Sequence, residues 1–113
     1  MPPARLEFLQ GTLDLLVLRT LAMGPLHGYG IAQAIKRSTE EAIQVEAGSL
    51  YPGLQRLELQ GLVTAKWETG GARRTRVYKL TAAGRKRLNA EVSKWEQFTR
   101  AVAMVLHPKP VEE

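Results

Sequence analysis

Residues 61–80 read GLVTAKWETGGARRTRVYKL, and across them the apolar side chains recur every second position. Val63, Ala65 and Trp67 alternate with Thr64 and Lys66, while Arg76, Tyr78 and Leu80 alternate with Val77 and Lys79. A half-buried strand demands this pattern, because successive side chains leave it on opposite faces. Between the two runs lie Thr69 to Arg74, with Gly70 and Gly71 free to take backbone angles that other residues resist. The stretch predicts a β-hairpin with a flexible, basic tip.

Upstream of the hairpin the period is helical. From Thr12 to Ala22, Leu13, Leu16, Val17 and Leu21 form one stripe and Leu15, Leu18 and Ala22 a second, which predicts a buried helix. Thr12 is placed to cap it, Asp14 suits its N-terminal dipole, and Gly24 and Pro25 end it. A second helix fits Gly28 to Thr39, with Ile31, Ala34 and Ile35 inward and Gln33, Lys36 and Arg37 outward. Ala42 to Val45 is a short apolar connector with the character of a brief strand. A third helix runs from about Ser49, its cap, to Gln60, with Pro52 in its first turn and Leu50, Leu54 and Leu57 inward. Gly61 terminates it.

Downstream, Thr81 caps a long helix reaching about His107, where Pro108 stops it. Leu88, Val92, Trp95, Thr99, Val102 and Leu106 recur along it by alternating fours and threes. At 1.5 Å per residue the rod is about 39 Å long, more than the rest of so small a domain can cover. Its apolar stripe predicts a partner, most simply the same helix of a second copy.

A chain of 113 residues, 44% hydrophobic and 24% charged, suits one folded domain of mixed but mainly helical class. Its expected parts are a winged helix-turn-helix unit over 1–80, a dimerisation helix over 81–107 and a loose tail over 108–113. The absence of cysteine excludes disulfides and thiolate zinc sites, and His27 and His107 have no ligand partner at helical spacing. No metal or other cofactor is expected. No run approaches about 18 apolar residues, and the first ten residues lack a signal-peptide core, so no membrane association and a cytoplasmic location are expected. An enzyme fails on inventory: there is no paired histidine, no G-x-S-x-G and no phosphate-loop spacing around Gly28 and Gly30 or Gly70 and Gly71.

Charge is concentrated. Arg56 to Arg87 carries a net +7, while the remainder of the chain is net −2. Such a segment suits a phosphate-facing surface, the bland alternative being a solvated basic face. Three short helices followed by a basic-tipped hairpin is the order of a winged helix-turn-helix, in which the third helix enters the major groove of double-stranded DNA and the wing reaches an adjacent groove or phosphates. Opposite its apolar stripe the third helix offers Ser49, Tyr51, Gln55 and Arg56. Gln and Arg can pair with base edges in two places at once, whereas Ser and Tyr hydroxyls more often hold phosphates.

Several blocks resemble the PadR family of transcriptional regulators. Gly48-Ser49-Leu50-Tyr51-Pro52, with Leu54, Arg56-Leu57-Glu58 and Gly61-Leu62-Val63, is similar to the family's recognition-helix signature. His27-Gly28-Tyr29-Gly30-Ile31 resembles its preceding helix, Tyr78-Lys79-Leu80-Thr81-Ala82-Ala83-Gly84 its junction from wing to C-terminal helix, and residues 9–16 its opening helix. The resemblance implies a homodimer joined through the C-terminal helix, binding an inverted-repeat operator and repressing transcription. It implies DNA contact at Tyr29, Ser49, Tyr51 and Gln55, and phosphate contact at Arg73, Arg74 and Arg76. A core role for Tyr29 or Tyr51 is the competing reading. Trp95 stands at the family's spacing for a tryptophan that stacks a small planar aromatic effector at the dimer centre, with Leu9 and Leu13 as candidate walls; plain packing is the alternative. The rival to DNA binding as a whole is a protein-interaction module with an incidental basic wing. Salt dependence separates the two.

Overall fold

The computed structural model describes residues 11–111. Helix α1 spans Thr12–Leu21, strand β1 Leu26–His27, α2 Gly28–Ser38, α3 Ala47–Leu59, β2 Val63–Gly70, β3 Arg73–Leu80 and α4 Ala82–Leu106. The three strands form one antiparallel sheet in the order β1-β3-β2. The result is the expected mainly helical winged helix-turn-helix with a long C-terminal helix.

The core is where the apolar stripes of the first three helices meet. Val17, Leu18 and Leu21 of α1, Ile31 and Ile35 of α2, and Leu50, Leu54 and Leu57 of α3 are all buried there, closed from the wing side by Leu62, Val63, Tyr78 and Leu80. Leu88 of α4 completes it at 4% exposure. That position lies on the stripe expected to meet a second copy, but it is spent inside the protomer.

Local chemistry shifts several boundaries. Gly11, left-handed at φ 91°, precedes α1, and no side chain caps that helix, so Thr12 is its first residue and not its cap. His27 caps α2: its Nδ1 accepts from the Gly30 N–H at 3.0 Å. The apolar connector Ala42 to Val45 forms no strand. The chain there is turned by Thr39, whose hydroxyl donates to the Ile35 carbonyl and accepts from the Ile43 N–H, and by two consecutive left-handed residues, Glu40 and Glu41. Beside β3, Leu26 and His27 take the sheet edge, pairing with Tyr78 and Val77.

Helix α3 begins two residues before Ser49, with Glu46 at the cap position. Pro52, expected in the first turn, therefore lies in the second. Its missing N–H leaves the Gly48 carbonyl without the usual partner four residues on, and Gly48 is exposed, where water can serve instead. The helix ends as expected at Gly61, left-handed at φ 75°. The Gly61 N–H donates to the Glu58 carbonyl and the Leu62 N–H to the Leu57 carbonyl, the paired closure that a left-handed glycine permits.

The hairpin is paired further out than the alternation suggests, from Val63 opposite Leu80 to Gly70 opposite Arg73. Only Gly71 and Ala72 are left at its tip. Thr81 then caps α4 as expected, accepting from the Gly84 N–H at 2.9 Å while its hydroxyl proton is shared between the Gly61 and Leu62 carbonyls. Among the described residues no helix is long and apolar enough to cross a membrane.

Candidate nucleic-acid interface

Helix α3 lies with Leu50, Gly53, Leu54 and Leu57 in the core and exposes Ser49, Tyr51, Pro52 and Gln55 on the opposite side. Gly53 faces α1, where a methyl group would make only ordinary contacts with the Arg56 guanidinium, Asp14 and Leu13. Tyr51 reaches sideways to the start of α2, its ring covering Gly28 so closely that a Cβ on that glycine would lie 2.6 Å from the ring edge. Tyr51 remains 48% exposed, and Tyr29, one residue beyond Gly28, is 66% exposed and stacks on His27 at 6.3 Å between ring centres. Neither tyrosine is a core residue. The exposed start of α2 and the outer face of α3 thus form one continuous surface.

The wing flanks the same surface. Arg73 and Arg74 open β3 and are exposed. Arg76 is partly buried and points back to the end of α3, where it meets the Glu58 carboxylate at 2.7 Å. Trp67, opposite Arg76 in the sheet, presents its ring to two guanidinium groups, Arg74 at 4.7 Å and Arg76 at 5.5 Å. Burial pushes the phenol of the neighbouring Tyr78 above its ordinary value of 10.0; Arg76 opposes the rise, and Glu58 and Tyr51 add to it.

Arg56 is half-exposed and engaged with a neighbouring helix. Its guanidinium folds back to Asp14 of α1 at 2.7 Å, on the flank of α3 away from the wing. Arg56 and Arg76 thus tie α3 to α1 and to the wing, while Arg73 and Arg74, like Lys66 and Lys79, are exposed on the wing.

The model of the Transcriptional regulator PadR-like family matches residues 17–90, from the middle of α1 into α4. The chain belongs to this family. It is similar to the transcriptional regulator Rv3488 of Mycobacterium tuberculosis, at 33% identity over 85% of this chain and 87% of that protein. Among solved structures, a PadR family transcriptional regulator from Eggerthella lenta shares 32% identity and a TM-score of 0.77, covering 88% of this chain and 86% of the other. Bacillus subtilis PadR, solved in complex with operator DNA, aligns with 94% of this chain and 52% of its own at 22% identity and a TM-score of 0.66, a likeness of fold. The PadR-like chain is accordingly a transcriptional regulator and not an enzyme.

The second expected site of this PadR-like protein lies between the start of α1 and α4. A cleft of about 290 Å³ opens between α1 and α4, walled by Gly11, Thr12, Leu15, Trp95 and Phe98 together with the charged Glu91 and Lys94. Trp95 is 38% exposed and sits 6.3 Å from the Phe98 ring, centre to centre. Leu13 packs towards α3 and does not line this cleft, whereas Leu15 does. Leu9 lies outside the described residues. Beyond Val92, which packs partly on the core, α4 leaves Trp95, Phe98, Val102, Val105 and Leu106 uncovered, while Thr99 shares that exposed length.

Three participants were not visible beforehand. Asp14 reads locally as a helix-dipole residue, because its arginine partner is 42 positions away. Glu58 is 18 positions from Arg76. Trp67 reads as a strand residue, and only the hairpin register, which puts it opposite Arg76, would have revealed its neighbours.

Proposed function

We propose that this chain is a sequence-specific DNA-binding repressor that acts as a homodimer on an inverted-repeat operator. The observation carrying this reading is the continuous surface made by Tyr29, Ser49, Tyr51 and Gln55 together with the outward wing residues Arg73 and Arg74. Gln55, near the middle of the outer face of α3, suits an adenine edge; the hydroxyls and the wing arginines suit phosphates. The +7 charge of residues 56–87 supports the same surface. Operator DNA in the solved structure of a protein of the same fold agrees with it.

Dimerisation runs through the uncovered stretch of α4, from Trp95 through Thr99 and Val102 to Leu106, with Val92 at its inner edge. A small planar aromatic or phenolic effector occupies the Trp95 cleft and relieves repression by changing the angle between the two long helices. The deciding experiment is fluorescence anisotropy of the purified protein against a duplex from its own promoter region and a scrambled duplex of equal length, at low and physiological salt. Tighter, salt-sensitive binding to the promoter duplex supports the proposal. No binding to either at low salt overturns it and favours a protein-interaction module. Replacing Arg73 and Arg74 together by Ala is expected to weaken binding to every duplex and to lower the slope of log affinity against log salt by about two.

A further inference from the structure

An exposed tryptophan is unusual chemistry for a wing whose other exposed side chains are mostly polar or charged. Trp67 is 54% exposed, and its own contacts explain why it is there. It stands directly opposite Arg76 in the β2–β3 ladder and diagonally from Arg74. Both guanidinium groups lie within cation–π range of its ring, Arg74 at 4.7 Å and Arg76 at 5.5 Å. Arg76 is anchored in turn by Glu58 at the end of α3. Glu58, Arg76, Trp67 and Arg74 thus make a stack running from the recognition helix outward along the wing.

From this stack we infer that Trp67 is a positioning residue for DNA binding: its ring holds the Arg74 guanidinium in place to meet the DNA backbone while the outer face of α3 lies in the groove. The inference rests on the DNA-binding reading above. An arginine side chain loses considerable rotamer freedom when it is pinned to a phosphate, and part of that loss is already met in the free protein when a ring face confines the guanidinium. The planar, weakly hydrated guanidinium can lie on an aromatic face and still present its N–H edge outward, which a lysine ammonium cannot do. Arg76 cannot substitute, since its charge is engaged by Glu58.

The test uses a change that leaves net charge untouched. Trp67→Ala retains every cation, so any loss of affinity cannot come from weaker long-range attraction. By anisotropy against the promoter duplex at physiological salt, Trp67→Ala is expected to bind about threefold to tenfold more weakly, and Trp67→Phe, which keeps a ring face, to recover most of the loss. In an Arg74→Ala background, Trp67→Ala is expected to cost nothing further. A merely structural tryptophan would give the same loss in both backgrounds, and that additive result overturns the inference. In the free protein, the side-chain protons of Arg74 should show an upfield ring-current shift by NMR that disappears in Trp67→Ala; a shift already absent in the wild type also overturns it. Wild-type protein that binds no duplex sinks the DNA-binding reading and this inference together, whereas wild-type binding with an additive cycle sinks the inference alone.

Discussion

Gly84 shows how a single hydrogen atom can determine a junction. A Cβ at this position would run into the Leu62 backbone carbonyl and within 2.6 Å of Leu80. The Leu62 carbonyl is held in place by the Thr81 N–H, and the Thr81 hydroxyl bridges the Gly61 and Leu62 carbonyls beside it. Gly84→Ala is therefore expected to destabilise the fold by about 2 kcal/mol or more, read as a lower urea midpoint with an unchanged slope. Tyr78 makes a different prediction. The folded chain holds its phenolic proton more tightly than the unfolded chain, because burial disfavours the phenolate. The corresponding stability is intact below the ordinary value of 10.0 and is lost as pH rises from there through the raised value. Urea midpoints compared below and above pH 10 should fall less steeply in Tyr78→Phe than in the wild type; equal falls would show that the loss originates elsewhere.

At the scale of elements, the helices and the hairpin were legible because their apolar periods are unambiguous, and the connector before α3 was not. Ala42 to Val45 has the composition of a strand, but pairing needs a free sheet edge, and Leu26 and His27 occupy the one beside β3. The exposed face of α3 was legible in the same way, as the side opposite Leu50, Leu54 and Leu57. Which of its polar residues remain free was not, since ion pairs across 42 and 18 positions leave no local trace. The tie from Arg56 to Asp14 is partly exposed, and a pair of this kind contributes at most about 1 kcal/mol to stability. Its larger effect is on roles within one helix. Gln55→Ala is expected to change the ranking of a panel of duplexes by affinity, whereas Arg56→Ala should weaken all of them alike. A changed ranking for Arg56→Ala would return that residue to base reading.

At the scale of the whole molecule, α4 beyond Val92 keeps its apolar side chains largely exposed. Phe98, at 54% exposure, and the apolar residues after it extend past the protomer's own core. A patch of this kind on a regulator points to assembly more than to solvent. Val102→Glu, placed far from the core, should leave the circular dichroism spectrum and the fold intact while halving the mass measured by light scattering. A wild-type protein that is already monomeric at the same concentration would remove the seam from the proposal.

The clasp at the root of α4 carries a mechanical consequence. Thr81 and Gly84 bolt the first turn of that helix to Leu62, the residue that leads into β2, so the rod cannot pivot without taking the base of the wing with it. With 25 residues the rod is about 37 Å long. A tilt of about 5° at the root sweeps its far end through about 3 Å, and the gearing works equally in reverse. A displacement of a few ångströms imposed at the tip reaches the wing as a small rotation, the scale of change on which the proposed dimer's fit to a double helix would turn.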